Sequence, residues 1–140
     1  MGCSCSHIKM TIWDKIVQSQ LDAAAEHPKL WDKIDAAEIK NILTFYGLHG
    51  GLFYHLDDND EVDAVMCAHP GLKYPDWEWE SMTQDWTIFT LWAKTRKAFA
   101  ELVNKAMQQK KPELIYAIRN GEIVEVQPET LMRLFYGRKD

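Results

Sequence analysis

The feature that most narrows the fold of this chain lies near its C-terminal end, in the run ELIYAIRNGEIVEVQ over residues 113–127. Two strand-like stretches flank Asn120-Gly121. That pair takes the positive φ angles of a tight primed turn at little steric cost, so the run commits to an antiparallel hairpin. A lone hairpin is marginal in water, so the rest of the chain must supply further strands beside it and helices upon it.

The segments upstream meet that demand. Phe99, Leu102, Val103, Ala106 and Met107 fall on one face of a helix. Lys105, Lys110 and Lys111 suit its negative C-terminal end, and Pro112 lies just beyond. Before it, DWTIFTLWA is β-branched and aromatic, and its residues 86–92 form the expected central strand. Earlier still, GGLFYHLDDNDEVDAVMCAH over residues 50–69 gives two strands joined by an acidic turn. The turn is not a calcium loop, because Val62 and Ala68 stand where such a loop needs a glycine and a bidentate glutamate.

The first third of the chain is helical in pattern. Ile12, Trp13, Ile16, Val17, Leu21 and Ala24 give a helix over residues 11–25, with Thr11 and Asp14 as its capping box and His27-Pro28 as its stop. A second helical stretch spans residues 28–46 and breaks near Asp35, where Asp35 and Glu38 offer a new cap. Gly47 is its expected C-terminal cap. WDKI occurs at residues 13–16 and 31–34 without repeating flanks, so it marks similar amphipathic demands rather than a duplication. A short helix starting at Pro128, carrying Leu131, Leu134 and Phe135 and ended by Gly137, closes the chain. The order is helix, helix, three strands, helix, two strands, helix. It predicts an α+β single domain with a mainly antiparallel sheet flanked by helices.

Composition bounds the function. A chain of 140 residues, 46% of them hydrophobic, fills one domain with a proper core. The net charge of −5 argues against general attraction to nucleic acid or anionic lipid. No run approaches the roughly 20 apolar residues of a membrane helix. Three cysteines cannot all pair within one molecule, so free thiols in a reducing cytoplasm are expected. Six tryptophans, with Trp77, Trp79, Trp86 and Trp92 close together, serve packing. Phosphate-loop, dinucleotide and Gly-x-Ser-x-Gly motifs are all missing. Cys3, Cys5, Cys67 and His69 add up to four zinc-type ligands, but without the paired spacing of such sites, so no metal is expected.

The element order resembles the GNAT superfamily of acyl-CoA-dependent N-acyltransferases over residues 11–137. KPELIYAIRNGEIVEV is similar to the strand after the CoA helix in toxin-activating lysine acyltransferases. TLWAKTRKAFAELVNKAM resembles the strand-to-helix step of small GNAT-like proteins of tailed phages, some of them internal virion components, and many such chains begin near MTI, as Met10-Thr11-Ile12 does here. The resemblance implies a CoA helix over residues 95–109, with acetyl-CoA or another acyl-CoA held at its start by Lys94, Thr95, Arg96 and Lys97. The family's glycine-spaced loop is replaced here by AKTRKA. For chemistry the resemblance implies a base and an acid. Asp85 and His27 stand as candidate bases and Tyr136 as candidate acid, with Tyr116 a second tyrosine of that kind. Two functions follow as expectations. One is acyl transfer from CoA to an amine. The other is a non-catalytic, phage-type role through a protein partner or self-assembly, as a virion component or an inhibitor of a host protein. The compartment would then be the host cytoplasm or the virion.

MGCSCS at the N-terminus meets the formal pattern for N-myristoylation, with Gly2 and Ser6 in place and Cys3 available for a second acyl chain. One myristoyl chain anchors only marginally, and basic support nearby amounts to Lys9. Residues 1–10 are therefore read as an extension before a domain over residues 11–140.

Overall fold

A computed structural model describes residues 10–71, 75, 77, 85–119 and 122–127. Residues 1–9 of the extension, the Asn120-Gly121 turn, the closing helix and Tyr136 lie outside the described residues.

Helix α1 (Ile12–Glu26) begins where the capping box places it. Thr11 Oγ1 accepts the Asp14 N–H at 3.0 Å, and Asp14 Oδ2 accepts the Thr11 N–H at 3.1 Å. Two donors that a helix start leaves orphaned are thereby satisfied. The His27 N–H closes the far end on the Ala23 carbonyl. Helix α2 (Ala36–His49) starts on Asp35, whose side chain accepts the Glu38 N–H at 2.9 Å. It runs beyond the expected stop at Gly47. The residue that turns left-handed is Gly50, at φ 80°, so the cap falls where the chain must reverse into the sheet.

Five strands form one sheet in the order β1 (Leu52–Leu56), β2 (Val62–Pro70), β3 (Asp85–Ala93), β4 (Leu114–Arg119), β5 (Glu122–Val126). Neighbours are antiparallel except β3 and β4, which are parallel. Parallel neighbours need a crossover, and helix α3 (Arg96–Lys110) supplies it. The fold is therefore α+β with a mainly antiparallel sheet, as the sequence leads one to expect.

Both faces of the sheet are covered. On one face, Phe53, Ala64, Met66 and Ala68 pack with Phe99, Leu102 and Ala106 of α3. On the other, Val65, Cys67 and Trp92 pack with Ile16, Ala23, Ile39, Leu43 and Tyr46 of α1 and α2, and with Trp31. All nine residues of β2 are buried as a result. Trp77 contributes to both layers, in keeping with a packing role for the tryptophans.

Two bulges set the phase of this packing. Opposite β1, strand β2 carries Asp63 as an extra residue, since His55 pairs with Ala64 and Leu56 with Val62. Opposite β2, strand β3 carries Phe89 as an extra residue, since Cys67 pairs with Thr90 and Ala68 with Ile88. Side chains alternate across a strand, and an extra residue reverses the alternation. Trp86 and Ile88 consequently share the α3 face with Leu91 and Ala93, while Phe89 and Trp92 face α1 and α2.

Gly51 is fixed by close approach. A Cβ there would land on the Ala68 carbonyl oxygen and on the Trp77 ring. Gly51→Ala is expected to lower stability by about 1–3 kcal/mol through overpacking. Leu102→Ala, which empties a fully buried site, is expected to cost about 2–5 kcal/mol. Urea denaturation of both variants checks these values.

Candidate functional site

The site follows from the way β3 leaves the sheet. It pairs with β4 over four residues, from Asp85↔Leu114 to Ile88↔Ala117. Phe89, the bulged residue, comes next, and among the described residues β3 makes no further pair with β4. The end of β3 is held instead on its other side, where the Lys94 N–H donates to the Asp63 carbonyl at 2.8 Å. The chain then turns into α3, and Thr95 caps it by accepting the Ala98 N–H at 3.1 Å.

Beside this junction lies a cleft of about 540 Å³ between α1 and the end of β3. Residues at helical spacing give α1 one polar face along it, including Lys15, Ser19, Asp22 and Glu26. Trp92, Lys94 and Thr95 enter from β3 and the start of α3, and Glu61 enters from the β1–β2 turn. Lys15 Nζ lies 3.7 Å from Glu61 Oε1 and donates to the Asp60 carbonyl at 2.8 Å, tying α1 to that turn. The turn is closed on itself. Asp57 Oδ1 accepts the N–H groups of Asn59 and Glu61, which hold its carboxyl below the ordinary value.

Of the residues picked out from the sequence, Lys94 and Thr95 line the cleft. Arg96 and Lys97 are exposed on the first turn of α3, outside its lining. His27 follows Glu26 at the end of α1, with Nε2 3.9 Å from Glu26 Oε2. Asp85 begins β3, so the nine-residue strand separates it from Lys94 by about 30 Å at 3.3 Å per residue. Asp85 acts instead on Tyr116, which is pushed up from its ordinary value first by desolvation and then by the charges of Asp85 and Glu125. Asp85 and the Lys94–Lys97 segment therefore stand at opposite ends of one strand. Tyr136 lies outside the described residues.

The Lys94 N–H and the Thr95 hydroxyl are engaged within the chain. The adjoining cleft sets Asp22, Glu26 and Glu61 against Lys15 and Lys94.

Two further polar arrangements were not legible in the sequence. His55 Nδ1 meets Asp63 Oδ1 at 2.7 Å, and His55 Nε2 meets the Glu101 carboxylate, so one ring joins β1, the β2 bulge and α3. Tyr46 Oη meets His69 Nδ1 at 2.7 Å in the core. Tyr46 also stacks on Phe89 with centroids 5.8 Å apart. Burial, aided by the nearby Cys67, pushes the Tyr46 hydroxyl well above its ordinary value. The Cys67 thiol, fully buried, is pushed up to about 12 by desolvation, partly offset by the Thr90 hydroxyl. Among the described residues no group of three or more His, Cys, Asp or Glu side chains is placed to hold a metal ion. Nor, among them, is any helix long and apolar enough to cross a membrane. Comparison with protein-family models, curated proteins and solved structures finds no match to this chain.

The two buried protons fix the alkaline behaviour. In the unfolded chain Cys67 loses its proton near its ordinary 9.0, whereas the folded chain keeps it to about 12. The native state then binds more protons than the unfolded one, so stability falls as pH rises through that window. Tyr46 adds to the fall above its ordinary 10.0. Urea denaturation at neutral and at alkaline pH should show this loss, and Cys67→Ala should make it shallower.

Proposed function

We propose that this chain is a protein of GNAT-like topology that acts by contact with protein rather than by acyl transfer. The topology is supported by the element order: two helices, a hairpin, a central strand, a crossover helix, a parallel strand and a final antiparallel partner. The contact role rests on one observation. At the helix start that would cradle a CoA pyrophosphate, the Lys94 backbone N–H donates to the Asp63 carbonyl, the Thr95 hydroxyl accepts the Ala98 N–H, and the adjoining cleft sets Asp22, Glu26 and Glu61 against Lys15 and Lys94. A binding role of this kind covers an assembly component, such as a virion protein, and an inhibitor of a host protein.

A second reading, an acyl-CoA-dependent N-acyltransferase acting on an amine, is favoured by the parting of β3 from β4 beyond Ile88↔Ala117. A parted parallel pair offers outward-facing backbone groups to an extended ligand. The acidic cleft lining also suits a cationic amine.

Isothermal titration calorimetry with acetyl-CoA separates the two. The contact reading expects no saturable heat and no thermal shift at millimolar ligand. Saturable binding, weakened by Lys94→Glu, would replace it with the transferase reading.

A further inference from the structure

One side chain ties together three elements of the fold. His55, on β1, meets Asp63 of the β2 bulge through Nδ1 at 2.7 Å and the Glu101 carboxylate of α3 through Nε2. Its two partners are placed differently. The Asp63 side chain is 12% exposed and the Glu101 side chain 44%. Asp63 is also fixed through its backbone, whose carbonyl accepts the Lys94 N–H. Glu101 stands exposed on α3, with Lys97 one turn before it and Lys105 one turn after, at the spacing that lets helix side chains pair. The other charged groups nearby have contacts of their own. Asp57, which follows β1, accepts the N–H groups of Asn59 and Glu61. Lys105 Nζ lies 3.4 Å from the Tyr54 carbonyl, and the Lys94 side chain lines the cleft.

The two forms of an imidazole serve such a pair of contacts differently. The charged ring donates an N–H from each nitrogen, so it bonds two ionised carboxylates at once. The neutral ring donates from one nitrogen and presents a lone pair at the other, and a lone pair cannot bond an ionised carboxylate. Loss of one proton therefore breaks one contact. Solvation decides which. A carboxylate that is nearly buried at the bulge loses its partner at high cost, whereas Glu101 turns to water or to its helix neighbours. We propose that His55 is a proton-operated clamp between the sheet and α3. With the ring charged, β1, β2 and α3 are tied together. When Nε2 gives its proton to solvent, Nδ1–H stays on Asp63 and Glu101 is released. The first half of α3, whose start borders the cleft through Lys94 and Thr95, is then held to β1 by one polar tie fewer. The clamp goes beyond the protein-contact reading and does not depend on it, because it holds whether the cleft meets a protein or an amine.

Two measurements on the full chain test this. Carboxylates ordinarily titrate near about pH 4 and imidazole near about 6.5, so pH values of about 5.5 and about 8 bracket the change of the ring while the carboxylates stay ionised. Nitrogen-15 NMR of the histidine rings in the unsubstituted chain reads the proton on each nitrogen directly. At the lower pH both His55 nitrogens should carry one, and at the higher only Nδ1. Urea denaturation of His55→Gln, Glu101→Gln and the double variant gives the coupling between the two positions. Comparison within this set removes the titration of the other histidines. The coupling should be present at the lower pH and lost at the higher, whereas a contact with a structural role alone would show the same coupling at both. Three results overturn the proposal: a neutral His55 ring at the lower pH, a proton on Nε2 at the higher, or a His55–Glu101 coupling that does not change with pH. The NMR result is independent of whether any variant folds.

Discussion

The whole arrangement depends on one strand being closed off from water on both sides. β2 has nine consecutive buried residues, and a strand of that kind cannot sit at the surface of a one-layer structure. It needs a neighbour on each edge and a helical layer on each face. β1 and β3 supply the edges. α3 covers one face, and α1 with α2 covers the other. His69 on β2 is tolerated inside this layer because Tyr46 of α2 meets its ring, as a buried polar group requires. Asp63 is tolerated at the margin because His55 holds its carboxylate.

From this central strand the polar work of the molecule spreads to the ends of the sheet. Asp63 is engaged twice, its side chain by His55 and its carbonyl by the Lys94 N–H. The bulge in β2 thus connects β1 with the point where β3 becomes α3. Glu101 extends the same connection onto α3 through the other nitrogen of His55. The cleft beside α1 is built on the same junction, and its composition follows from what lies there: a polar helix face, the acidic β1–β2 turn, and the few cations at the start of α3.

What was legible in the sequence was local. The Thr11–Asp14 box, the Asp35 cap, the acidic hairpin turn and the helix ending before Pro112 are written within a few residues each, so spacing alone reveals them. Gly47 misled because a glycine can end a helix but need not, and here Gly50 has the left-handed angle. The site was only partly legible. Lys94 and Thr95 are adjacent in sequence and adjacent in the cleft. Asp85 lies at the other end of β3, because an extended strand converts a short sequence distance into a long spatial one. The His55–Asp63–Glu101 contact had no signature, because Glu101 arrives from a helix whose position is set only once the crossover is made.

The two bulges bear on how such a chain can change over time. A substitution in β2 or β3 alters one side chain, and its neighbours keep their faces. An insertion or deletion of one residue between Trp86 and Ala93 would exchange inside and outside for part of the strand, moving residues such as Trp86 and Ile88 off the α3 face. Strand β3 is therefore constrained in length as well as in the apolar character of its buried positions. The turn between β1 and β2 has no such alternation to preserve, and its length is set instead by the Asp57 hydrogen bonds to the Asn59 and Glu61 N–H groups.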